Sequence, residues 1–126
     1  MSESCQRNDW VHQRIAWVVW GIPTGLFVIG AFLGPLGRTL VWTPALLVAG
    51  GACVVNARRC HRLHCYFTGP LFLIAALITV LRGFDVVALP WTLIGAAVVV
   101  GTVLAHIPEW VGAKYRATQW IPNERR

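Results

Sequence analysis

Between positions 60 and 65 the chain places two cysteines and two histidines: Cys60, His61, His64 and Cys65. Thiolate and imidazole are the usual ligands of zinc, and thiolate suits softer ions such as copper(I) and, by the same reasoning, mercury(II). Arg58, Arg59 and Arg62 flank the cluster. Nearby positive charge favours the thiolate, and the thiolate is what binds a metal. If the preceding helix continues past Asn56, then Cys53, Asn56, Cys60 and His64 fall at roughly 0°, −60°, −20° and 20° around its axis and form one stripe. Cys60 and His64 are then four apart and able to chelate, while His61 and Cys65 repeat that spacing on a rotated face. A straight helix does not bring all four side chains to one ion, so a break in the segment is required. His106 and Glu109, at the end of the last apolar stretch, are expected at the same side of the molecule. Cys53, Asn56, His106 and Glu109 are therefore candidate relay or accessory groups.

The elements that hold these residues are read from the charges. The chain has 126 residues, of which 56% are hydrophobic and only 13% charged, and its net charge is +6. A soluble domain carries roughly 25% charged residues. No charge occurs between Arg14 and Arg38, Arg38 and Arg58, Arg62 and Arg82, or Asp85 and Glu109. Each gap is long enough, or nearly so, to cross about 30 Å of hydrocarbon as a helix. The expected fold is all-α: a single-domain, integral membrane four-helix bundle with spans at about 15–34, 40–58, 66–82 and 86–107. No alternation of apolar and polar residues suggests a β-barrel.

The even number of spans puts the termini and the 58–62 loop on one side. That side holds Arg7, Arg14, Arg58, Arg59, Arg62, Lys114, Arg116, Arg125 and Arg126, against Arg38 and Arg82 on the other. The asymmetry predicts cytoplasmic termini and an inner (plasma) membrane location. It also accounts for the basic charge without nucleic acid. The first apolar run exceeds that of a cleaved signal peptide.

Gly34–Arg38 and Arg82–Asp85 read as short outer turns. Trp42 and Trp91 are expected to open the second and fourth helices at the outer interface. Pro44 and Pro90 are assigned to first turns, and Pro23 is expected to distort the first span. Gly21/Gly25 and Gly30/Gly34 are GxxxG pairs, and Ala45, Ala49 and Cys53 form a small-residue stripe. Such faces serve packing within a bundle, a homo-oligomer or a partner membrane protein. Thr68-Gly69-Pro70 resembles a helix start, but Pro70 to Leu81 would be only about 18 Å long. Either the third helix begins near Leu63, or His64–Gly69 is irregular backbone below the interface.

The segment Asn56-x-x-Arg59-Cys60-x-Arg62-x-His64-Cys65-x-x-Thr68-Gly69-Pro70 resembles one in small, uncharacterised prokaryotic membrane proteins with four spans. That resemblance implies topology and no activity. In size and span number, though not in motif, the chain is also similar to the Mer-type mercury transporters, which implies soft-metal transport. Those transporters carry a cysteine pair in the first helix. The first span here has no cysteine, so no residue is carried over.

Three functions follow as expectations. The first is binding or transport of a soft metal ion (mercury, copper(I) or zinc) by Cys60, His61, His64 and Cys65 at the cytoplasmic mouth, with Cys53 as a relay. The second is a non-enzymatic accessory or assembly subunit. The third is a thiol oxidoreductase using Cys60 and Cys65 with a quinone. The absence of C-x-x-C, H-E-x-x-H and phosphate-loop motifs favours the non-enzymatic readings.

Overall fold

The computed structural model describes residues 15–112. Cys5, His12, Trp10, Trp120 and the basic residues of both ends, including Lys114 and Arg116, lie outside the described residues. Four helices follow one another. Helix α1 spans Trp17–Ala31, α2 Pro35–Cys60, α3 Leu63–Gly83 and α4 Trp91–Trp110. No strand occurs among the described residues. Helices α2, α3 and α4 are each long and apolar enough to cross a membrane.

Helix α1 is shorter. It opens with a five-residue π turn, Trp17–Gly21, and continues as ten α-helical residues. The widened turn sits just ahead of Pro23, whose ring and missing N–H disrupt the i→i−4 ladder. The distortion expected at Pro23 thus takes the form of a π turn before it.

The chain packs as α1 on α2, α2 on α3 and α3 on α4, with α2 and α3 in most extensive contact. Their closeness comes from small residues. Ala45, Ala49, Ala52, Cys53, Ala57 and Cys60 are buried along α2, facing Gly69, Ala75 and Ala76 on α3. A Cβ on Gly69 would press Val54, and one on Gly50 would press Leu73 and the Gly69 carbonyl. Bare backbone at these two positions lets the helices approach closely.

Three local expectations change. Helix α2 starts at Pro35, so Pro44 is interior rather than in a first turn, at an exposed position. Pro90 is the extended residue that precedes α4. Trp42 lies two turns into α2 and is only 3% exposed, so it is a core residue and not an interfacial anchor. Its indole N–H donates to the Phe27 carbonyl at 2.7 Å, and its ring stacks on Phe27 at 4.4 Å. It rests against Gly30, where any Cβ would overlap the indole. Arg38 closes this end. It donates to the carbonyls of Gly30, Ala31 and Leu33, at and just past the end of α1, and lies 5.5 and 5.4 Å from the rings of Trp42 and Trp91.

The two GxxxG pairs are each half used within the chain. Gly30 is covered by Trp42, and Gly21 touches Trp17 of its own helix, while Gly25 and Gly34 have nothing within contact distance.

Candidate functional site

The break that the Cys/His segment requires is present and spans two residues. Helix α2 ends at Cys60. His61 adopts left-handed backbone (φ 51°, ψ 35°) and its N–H closes the last turn on the Ala57 carbonyl. Arg62 is extended, and α3 starts at Leu63. Of the two alternatives for Thr68–Pro70, the structure takes the continuous helix. A left-handed residue after the last helical position is a common helix ending, though glycine is its usual occupant. The reversal folds α3 back along α2, so the first turns of α3 meet the stripe that ends α2.

The meeting point is the Cys65 sulfur, which is fully buried. It lies 3.2 Å from His64 Nε2 and receives the Asn56 side-chain amide at 3.6 Å. Cys53 belongs to the same buried cluster. The Cys53 sulfur, equally buried, contacts the Thr68 hydroxyl at 3.1 Å, and that hydroxyl donates to the His64 carbonyl at 2.9 Å. Cys53, Cys60 and Cys65 form no disulfide.

On its far side His64 is held by the last helix. Nδ1 is 2.6 Å from Glu109 Oε1. Glu109 is in turn gripped by Arg62, with Nε to Oε1 at 3.1 Å and a terminal nitrogen to Oε2 at 3.3 Å. The Arg62 and Glu109 side chains are only 7% and 8% exposed. An ionised pair at that depth is tolerated only when its charges are matched and its hydrogen bonds made. With Glu109 a carboxylate, Nδ1 carries the ring proton and Nε2 turns a lone pair to the Cys65 thiol. The thiol proton can pass to Nε2 without changing the net charge of the cluster.

Of the candidate residues, the structure brings His64, Cys65, Cys53, Asn56 and Glu109 together. His106 joins by stacking on His64, with centroids 4.5 Å apart. His61 does something else: its Nδ1 pairs with the Tyr66 hydroxyl at 2.8 Å. Cys60 is buried at the end of the α2 stripe. Arg62 and Thr68 also enter the site, although sequence reasoning read Arg62 as a topology signal and a charge favouring the thiolate, and Thr68 as part of a helix start. Arg62 has the only visible signal, as the one arginine of three followed immediately by an apolar helix. Among the described residues, no three or more His, Cys, Asp or Glu side chains are arranged as a ready metal site.

Nucleophile, base and orienting carboxylate in line would also suit covalent catalysis. Cys65 is fully buried in this arrangement.

Beside the cluster lies a half-open cavity of about 500 Å³. Its walls are α1 and α4, which do not pack extensively on each other, and its floor is α2 and α3. Arg62, His64, His106 and Glu109 form its polar end, while Phe27, Leu46, Phe72 and Val98 are among its apolar walls.

No protein-family model matches the chain, and no curated protein or solved structure is detectably similar to it.

Proposed function

We propose that the protein is a four-span inner-membrane protein, termini cytoplasmic, that binds a soft metal ion between Cys53 and Cys65 as a step in handling or transporting it. The single observation that carries this reading is the pair of fully buried cysteines, Cys53 on α2 and Cys65 on α3, in one core cluster, with the Cys65 sulfur 3.2 Å from an imidazole able to take its proton. Mercury(II) and copper(I) are thiophilic and are satisfied by two sulfurs. Zinc prefers four ligands, so the site favours the softer ions. The membrane placement is supported by three long apolar helices and by the nine-to-two distribution of basic residues.

The test is metal analysis of the purified protein after exposure to mercury(II) or copper(I) under a competing thiol. One ion per chain is expected, lost in Cys53→Ala and in Cys65→Ala and kept in Cys60→Ala. Stoichiometric binding that survives the double change of Cys53 and Cys65 overturns the proposal.

A second reading is favoured by the same pair of buried cysteines. Cys53 and Cys65 would release two protons and two electrons and form a disulfide, with a membrane quinone taking both to become the quinol. Reversible loss of two free thiols on adding a quinone, in protein that binds no ion, would establish this reading instead.

A further inference from the structure

The end of the bundle away from the cysteines carries, among the described residues, the charged side chains Arg38, Arg82 and Asp85. Asp85 pairs with Arg82, so one positive charge is left over. That charge sits on Arg38, whose guanidinium meets carbonyls and the rings of Trp42 and Trp91 but no carboxylate. Nε and Nη2 make its hydrogen bonds. Nη1 has no partner among the described residues and is not enclosed, so its N–H groups stay open. Arg82 repeats the arrangement 5.7 Å from the Trp91 ring centroid: Nε and Nη1 are bonded, and Nη2 is open. Two guanidiniums with open edges thus share one indole. Arg38 also lines an apolar groove of about 380 Å³ between α1 and α4, walled by Phe27, Val28, Phe32, Trp91 and Val99. Phe27 and Val99 line the larger cavity as well, so the two lie along one seam that leads from Arg38 into the bundle.

From this we infer that the seam holds an anionic phospholipid, its phosphate on Arg38 and one acyl chain laid between α1 and α4. A phosphodiester is a charged acceptor that suits the open edge of a guanidinium. An apolar furrow leading away from a cation fits an amphiphile and gives a free anion nothing further to bind. The surplus positive charge favours a headgroup of net negative charge, such as phosphatidylglycerol, over a zwitterionic one. The inference rests on the proposed membrane placement, in whose orientation this end faces the outer leaflet. It does not rest on the ion, since no cysteine lines the groove or the cavity.

The experiment is native mass spectrometry of the purified full chain in detergent, with equal amounts of phosphatidylglycerol and phosphatidylcholine of identical acyl chains. One phosphatidylglycerol per chain is expected to be retained, preferred about fivefold, as one basic side chain at a membrane surface predicts. Arg38→Gln should remove the preference. Asp85→Asn should raise it by a similar factor, because it leaves Arg82 unbalanced too. Asp85 is exposed and holds a positive-φ backbone that asparagine also accepts, so this variant should fold normally. Equal retention of both lipids by an unaltered chain that needs detergent overturns this site alone, and solubility without detergent overturns the placement with it. A preference that Asp85→Asn leaves unmoved overturns the site as well, and would put the lipid at the basic end beside Arg58 and Arg59. So does displacement by glycerol phosphate, which has the headgroup without the chains. The Cys53→Ala, Cys65→Ala protein should retain the lipid normally, so failure of the ion reading leaves this result standing.

Discussion

His64 and Glu109, from the start of α3 and the end of α4, share a hydrogen bond of 2.6 Å across 45 positions of sequence. That bond fixes the tautomer of the imidazole and so decides which nitrogen faces Cys65. A sulfur on α3 is thereby tied to a carboxylate on α4, with Arg62 holding the carboxylate in place.

Glu109→Gln should destabilise the protein by about 3 kcal/mol, because it removes the carboxylate charge that balances the buried Arg62 guanidinium. Replacing both partners, as in Arg62→Met with Glu109→Leu, should cost distinctly less. Thermal unfolding in one detergent compares them. Equal losses would mean that the pair is not effectively buried.

Proton counting tests the role of His64. Loading an ion onto two thiols displaces two protons. If Nε2 keeps one, the unaltered protein releases one fewer proton per ion than His64→Phe. Ion affinity should rise with pH in both, more steeply in the variant. Calorimetry in buffers of different ionisation enthalpy measures the difference, and identical proton release would remove His64 from the binding step.

Gly30→Ala and Gly25→Ala should have opposite effects. The first drives a methyl into the Trp42 ring and should cost about 1–3 kcal/mol. The second adds a methyl where nothing lies near and should stabilise α1 by about 0.5 kcal/mol. If Gly25→Ala instead lowers the stability of a self-associated form, a second copy packs on that face. Thermal unfolding with light scattering reads both quantities.

His61 holds a backbone conformation that glycine adopts without penalty. His61→Gly gains there and loses the Tyr66 contact, so stability should stay within about 1 kcal/mol. Ion binding should be unchanged. A loss of ion affinity in His61→Gly, with helix content intact by circular dichroism, would make the ring a ligand.

The all-helical architecture was legible because charged residues are so scarce that their gaps mark the helices. The stripe Cys53, Asn56, Cys60 was legible from helical periodicity, and all three are buried on α2. What periodicity could not supply was the geometry of the reversal. It turns on two residues, His61 and Arg62, neither a usual breaker. That reversal sends His61 to Tyr66 and His64 with Cys65 back to Cys53. The Arg62–Glu109 pair was hidden for a different reason: positive charge near a membrane edge is also explained by topology. Trp42 misled because an interfacial preference and a core role look alike until the helix start is known, and Pro35 moves that start back by several residues.

Asn56, His64 and Thr68, which hydrogen-bond to the two sulfurs, belong with them to a single helical hairpin, at separations of at most fifteen positions. Short separations close early and at small entropic cost. The dithiol can therefore assemble as soon as α3 has doubled back, before the last helix arrives. A chain cut within 84–90 and co-expressed as two pieces should keep its sulfurs together in the first fragment, and should recover the carboxylate behind His64 only when the second fragment docks.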